Sequence, residues 1–144
     1  MNKMHVVAEL MTTEVKFLYN DANLLDAHNL TKDTGIRHIP ILNKADNTYL
    51  GVVSQKAMLA RIMAIATEFG TNRLERRESE ITITDIMDTN NETVGAQTTL
   101  SIAAQHFLNK KYGCLPVVSD DKVLLGILSS SDFVRLAIEL LEKE

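Results

Sequence analysis

The chain of 144 residues is 45% hydrophobic and 24% charged, an ordinary globular balance that excludes a disordered chain. No apolar run approaches the roughly 18 residues of a membrane helix, which excludes an integral membrane protein. One cysteine, Cys114, precludes an intramolecular disulfide and suits a reducing, cytoplasmic compartment; a net charge of −4 and an isoelectric point near 5.6 argue against a nucleic-acid partner.

In chain order, Met1–Leu10 lack the continuous apolar stretch of a signal peptide. The first half then reads as a short helical turn ending at Met11 and an extended segment, Val15–Leu18. A helix is predicted over Asn23–Asp33, with Leu24, Ala27 and Leu30 on one face. Two apolar runs too short for helices, Ile36–Leu42 and Tyr49–Val53, flank a polar turn and predict a hairpin. A helix over Gln55–Phe69 follows, with Met58, Ile62, Ile65, Ala66 and Phe69 on one side. Gly70–Glu80 is polar and charge-rich and reads as a connector with a solvated, salt-bridged face.

The second half repeats this order. A turn ends at Met87, Glu92–Val94 is extended, and a helix spans Thr99–Lys111 with Leu100, Ala103, Ala104, Phe107 and Leu108 on its buried face. Leu115–Val118 and Val123–Leu128 form the hairpin, and Ser130–Leu141 the closing helix, with Phe133, Leu136, Ala137, Leu140 and Leu141 together.

The two prolines mark the repeat. Pro40 and Pro116 sit in matching phrases, His38-Ile39-Pro40-Ile41-Leu42 and Cys114-Leu115-Pro116-Val117-Val118, 76 residues apart. The same shift superposes Met11 on Met87, Thr13 on Thr89, Leu24 on Leu100 and Ala27 on Ala103. Beyond the hairpin turns the shift becomes 75 and lays Gly51-Val52-Val53-Ser54 on Gly126-Ile127-Leu128-Ser129. The chain therefore divides into residues 6–69, a connector 70–80, and residues 81–141. Each half holds about 60 residues, a size at which a lone core is marginal. The expected architecture is α/β (α+β): two β-α-β-β-α repeats packed into one pseudo-twofold globular module.

The duplicated order of motifs resembles a tandem pair of cystathionine-β-synthase (CBS) domains, a Bateman module, and its extent suggests a free-standing one. The motifs are an apolar-x-acid-apolar-Met start, an apolar-Pro-apolar-apolar middle and a Gly-apolar-apolar-Ser end. The resemblance implies a regulatory module that binds an adenosine-containing nucleotide in a cleft between repeats and signals to a protein partner without catalysis. AMP, ADP, ATP and S-adenosylmethionine are the implied ligands. The family's ribose signature, G-h-h-S/T-x-x-D, is complete at Gly126–Asp132, where Ser129, Ser131 and Asp132 fall in it. A carboxylate suits ribose because it accepts from two neighbouring hydroxyls. In the first copy Ala57 replaces the acid. Carried over by motif, the remaining ligand residues are Thr12, Lys16, Ile36, Arg37 and His38: Ile36 toward adenine, Arg37 and His38 toward phosphates. Lys56, opposite Ser131 in the alignment of the copies, reads as a surface lysine. The resemblance also implies a homodimer, with Met58, Ile62, Met63, Ile65 and Phe69 as its seam.

Three alternatives stand beside these readings. Ser129-x-x-Asp132 is also a helix capping box. His38 also reads as a neutral, half-buried histidine, and the whole chain as a ligand-free dimeric interaction protein with vestigial clefts. His5, His28, His38 and His106 lack metal-ligand spacing, Cys114 reads as a small core residue, and no nucleophile–base pair suggests an enzyme.

Overall fold

The computed structural model describes residues 5–110 and 112–143. Met1–Met4, part of the signal-peptide reading, and Lys111, the expected end of the fourth helix, lie outside them.

The chain forms two compact units. The first, Lys16–Asn90, holds strand β1 (Leu18–Tyr19), helix α1 (Leu24–Thr34), strands β2 (His38–Leu42) and β3 (Tyr49–Ser54), and helices α2 (Gln55–Phe69) and α3 (Leu74–Ser79). Its sheet runs β1-β2-β3, with β1 parallel and β3 antiparallel to β2. The second unit joins the segment ending at Val15 to the chain from Asn91 onward. It holds helix α4 (Leu100–Lys110), the antiparallel hairpin β4 (Cys114–Val118) and β5 (Leu124–Ser129), and helix α5 (Ser130–Glu142). A single parallel bridge from Val94 to Val117 stands where β1 stands in the first unit.

Sequence repeat and packing unit are offset. The opening turn of each repeat, a 3-10 turn at Val7–Glu9 or Ile83–Asp85, lies with the hairpin of the other repeat. Val7 is fully buried in the cluster of Leu115, Val117 and Leu128, and Ile83 in that of Ile39, Ile41 and Val53.

The same exchange explains the proline and glycine motifs. Ile127 spends both backbone groups on Thr12, at 2.9 Å each, and Val52 gives both of its own to Asp88, at 3.1 and 2.8 Å. These residues stand opposite Pro116 and Pro40 in the hairpin registers. Each proline therefore faces a residue whose ladder groups point the other way, and its missing N–H leaves no bond of the hairpin unmade. The neighbouring glycines admit the crossing segment. A Cβ on Gly126 would lie 2.7 Å from both the Met11 Sδ and the Thr12 carbonyl oxygen, and one on Gly51 would lie 2.7 Å from the Asp88 carbonyl oxygen.

Several expectations are corrected. The extended segment of the first repeat is Leu18–Tyr19, not Val15–Leu18. Leu108 on α4 is 77% exposed, the helix packing through Leu100, Ala103 and Phe107 instead; Ala137, Leu140 and Leu141 are exposed because α5 meets the core only through half-buried Phe133 and Leu136. Phe69 is exposed rather than core. The connector is not uniformly solvated: it carries α3, whose Glu78 is 1% exposed and pairs with His28 Nδ1 at 2.8 Å. Among the described residues no helix is long and apolar enough to cross a membrane.

Candidate functional site

The second unit places Ser129 at the end of β5, where it becomes the N-cap of α5 with extended backbone (φ −130°, ψ 165°). Asp132 is the third helical residue, so its side chain turns back over the cap. The Asp132 carboxylate is 95% buried, being 5% exposed. Its Oδ2 accepts from the Ser129 N–H at 2.8 Å and from the Ser129 hydroxyl at 3.3 Å. Its Oδ1 accepts from the Arg135 guanidinium. The Ser129 and Ser131 hydroxyls share a further bond at 2.8 Å. A carboxylate offers roughly four lone-pair sites. Three are used here, two of them by the cap and one by Arg135, whose side chain is 66% exposed and free to move aside. The capping box is thus real, and it orients a buried carboxylate that keeps capacity for a further donor.

Thr12 belongs to the same unit. Its two backbone bonds to Ile127 anchor it two residues along β5 from Ser129, with its side chain exposed. Met11 packs against the core beneath.

The first copy ends its hairpin differently. Ser54 caps α2 through its hydroxyl, which accepts from the Ala57 N–H at 3.0 Å. Ala57 has nothing to return to Ser54 and no acceptor for a sugar hydroxyl. Lys56 is exposed.

The other expected ligand residues lie in the first unit. Lys16 and Arg37 are exposed, and the Arg37 carbonyl accepts from the Gln55 N–H at 2.7 Å. Ile36 is half-buried against the core cluster. His38 opens β2, half-buried, and burial, with a smaller contribution from the Arg37 charge, holds its imidazole below the ordinary value of 6.5. A neutral ring at pH 7 keeps one N–H to donate. The structure brings Thr12, Ser129, Ser131 and Asp132 into one unit, and Lys16, Ile36, Arg37 and His38 into the other.

Arg135 was not singled out in the sequence, although Asp132 and Arg135 stand at i, i+3 on a helix, a spacing that pairs opposite charges. Cys114 lies in β4, and burial pushes its thiol up to about 12, which keeps it protonated at neutral pH. Among the described residues no three His, Cys, Asp or Glu side chains are placed to hold a metal ion.

Comparison with known proteins agrees with this architecture. The family defined by the CBS domain matches residues 7–64 and 83–139. A solved Vibrio cholerae protein named for acetoin utilization (AcuB) is 36% identical, with a TM-score of 0.79 over 97% of this chain and 95% of that one. The CBS-pair protein CBSX2 of Arabidopsis thaliana, solved in complex with AMP, is 26% identical, with a TM-score of 0.76 over 95% of this chain and 98% of that one. A curated relative, homoserine O-acetyltransferase of Methanobrevibacter ruminantium, is 21% identical over 132 residues. The match spans 92% of this chain and only 24% of that protein. With both repeats matched and the fold shared end to end, the chain belongs to the CBS domain family, as a tandem pair.

Proposed function

We propose that the protein is a regulatory module that binds one adenosine-containing nucleotide per chain, with Asp132 as the ribose acceptor. Binding changes its conformation, which a protein partner reads, and no bond is made or broken. The observation that carries this reading is the Asp132 carboxylate, buried, oriented by Ser129 and present in only one of two otherwise matched turns. The AMP complex of CBSX2 supports the ligand class. A ribose diol would take the open acceptor capacity of Asp132 and displace Arg135 from Oδ1. By motif order Thr12 and Ser131 add hydroxyls to the same ligand. By motif order the family resemblance also assigns Lys16, Ile36, Arg37 and His38 to a ligand, Ile36 toward the base and Arg37 and His38 toward the phosphates. A single cysteine, Cys114, suits a cytoplasmic setting.

A thermal-shift panel of AMP, ADP, ATP and S-adenosylmethionine tests this. Ligand at 100 times its Kd stabilises by about 2.7 kcal/mol, and Asp132→Ala removes that shift. No shift with any of the four refutes the reading.

The module acts as a homodimer. The expected seam needs revision, because Met58, Ile62 and Ile65 are core residues. Among the exposed apolar residues, which include Phe69, Leu140 and Leu141, Leu59 and Met63 on α2 match Val134 and Ile138 on α5, 75 positions on. Apolar exposure repeated at matched positions is the mark of an interface. Met63→Lys with Ile138→Lys should convert the dimer to monomer in light scattering, and a wild-type monomer contradicts the assignment.

A second reading has its own observation. Ser129 and Arg135 already engage both Asp132 oxygens, which suits a ligand-free interaction protein whose acid is only a cap. In that case Asp132→Ala lowers stability and leaves every nucleotide response, or its absence, unchanged.

A further inference from the structure

Outside the Asp132 turn, the least conventional chemistry lies on the connector. A cavity of about 160 Å³ in the first unit is lined by Arg73, Arg76, Arg77 and Glu80, every one of them charged. Arg77 is fixed by its guanidinium, which stacks 3.8 Å from the centroid of the Phe69 ring. Its Nε is closed to water and has no acceptor. Arg73 holds the left-handed conformation, φ 60°, at the start of α3, an uncommon state for a residue with a side chain. Among the described residues neither Arg73 nor Arg77 has a carboxylate within ion-pair distance. Arg76 meets Glu80 only at 3.7 Å, with both side chains well exposed, a pair of little strength.

Three guanidinium cations against one carboxylate leave two positive charges on this cavity. Arg73 and Arg76 are exposed and Arg77 is held in place by its stacking on Phe69, so the open guanidinium nitrogens, not the buried Arg77 Nε, are the donors available on this cavity. An anion with several acceptor oxygens would complement them. A phosphoryl group carries roughly −1.5 to −2 charge at pH 7 and three strong acceptors, which matches the net charge and the forked donors of arginine. A monoanionic carboxylate would leave the cavity cationic.

We propose that the pocket of Arg73, Arg76 and Arg77 is a binding site for a phosphoryl group, with Glu80 as the internal carboxylate that the phosphoryl group displaces from Arg76. This site is independent of the nucleotide reading, because it uses none of the residues assigned to that ligand.

Titration calorimetry of the full chain with inorganic pyrophosphate at low salt tests it, beside flotation with phosphatidylcholine vesicles with and without phosphatidylinositol 4-phosphate. Saturable pyrophosphate binding identifies a free phosphate ligand. Binding only to the phosphoinositide vesicles identifies a lipid-borne one. In either arm Arg73→Ala and Arg77→Ala weaken binding by about tenfold. Glu80→Gln tightens it by about threefold, an effect that damage to the fold would not produce. Asp132→Ala leaves it unchanged. Should Arg77→Ala disturb the packing on Phe69, the exposed Arg73 variant decides alone. Binding in neither arm, arginine variants that bind like the wild type, or equal competition by acetate overturns the proposal.

Discussion

Ser54 and Ser129 occupy the same place in the two copies, last residue of a strand and cap of the following helix, yet the turns they open have different chemistry. At Ser54 the hydroxyl accepts one backbone N–H, and the bond runs one way. At Ser129 the traffic is returned: the Asp132 carboxylate reaches back to the Ser129 N–H and is itself held by Arg135. The scaffolds around the two turns are alike, with proline opposite the residue whose ladder bonds go to the crossing segment and glycine beside it. The two copies share what the backbone needs and differ in the carboxylate, Asp132 against Ala57. An acid is dispensable to the cap, since a lone Ser serves α2.

That contrast can be broken most sharply by ligand. In the presence of saturating AMP, Asp132→Ala should lose the whole stabilisation of about 2.7 kcal/mol expected at 100 times Kd, whereas Ala57→Ser should keep it. Equal responses of the two variants in a thermal-shift assay would erase the distinction.

The likeness of the scaffolds is tested by Gly51→Ala and Gly126→Ala. Each added methyl meets a backbone carbonyl oxygen at 2.7 Å. Each should therefore destabilise by about 1–3 kcal/mol, as overpacking does. Urea denaturation should return similar costs for the two, and a neutral result at either would show that the crossing segment yields.

Next in size are the caps. Ser54→Ala removes the bond to the Ala57 N–H and should cost about 1 kcal/mol of stability. Ser129→Ala should cost a similar amount, because the Ser129 N–H keeps its acceptor on Asp132. A much larger loss at Ser129 would make Asp132 chiefly structural.

The smallest effect concerns pH. His38 has a lowered imidazole value in the folded chain, through burial first and Arg37 second. The unfolded chain then binds the proton more readily, so the contribution of His38 to stability is complete above 6.5, the ordinary value, and is lost as pH falls through the folded one. His38→Gln should flatten stability across this range. With a phosphate bound near it, His38 would take up a proton, and AMP affinity should rise as pH falls below 6.5 in the wild type but not in the variant.

Much of this molecule was legible in its residues. Helix α2 begins and ends where the apolar period of Gln55–Phe69 does, and the hairpins fall on the runs around Pro40 and Pro116. These features depend on local pattern, which a sequence displays. Three things did not show. The exchange of the opening turns between units depends on where Val7 and Ile83 find their cores, a tertiary choice with no local signature. The burial of Glu78 depends on His28, 50 residues away, and its charged neighbours disguise it. The exposure of Leu140 and Leu141 goes with α5 meeting the core only through Phe133 and Leu136, which periodicity cannot report. At the candidate site the Ser129–Asp132 cap was legible from the motif, and the Arg135 contact was within reach through its i, i+3 spacing.

Calorimetric titration of AMP into the wild type and into Asp132→Asn addresses the asymmetry of the two turns most directly, since the amide keeps shape and removes charge. One site per chain in the wild type and none in the variant is the predicted result. Two sites per chain, or one that survives Asp132→Asn, would contradict the assignment of the ribose contact to the second turn.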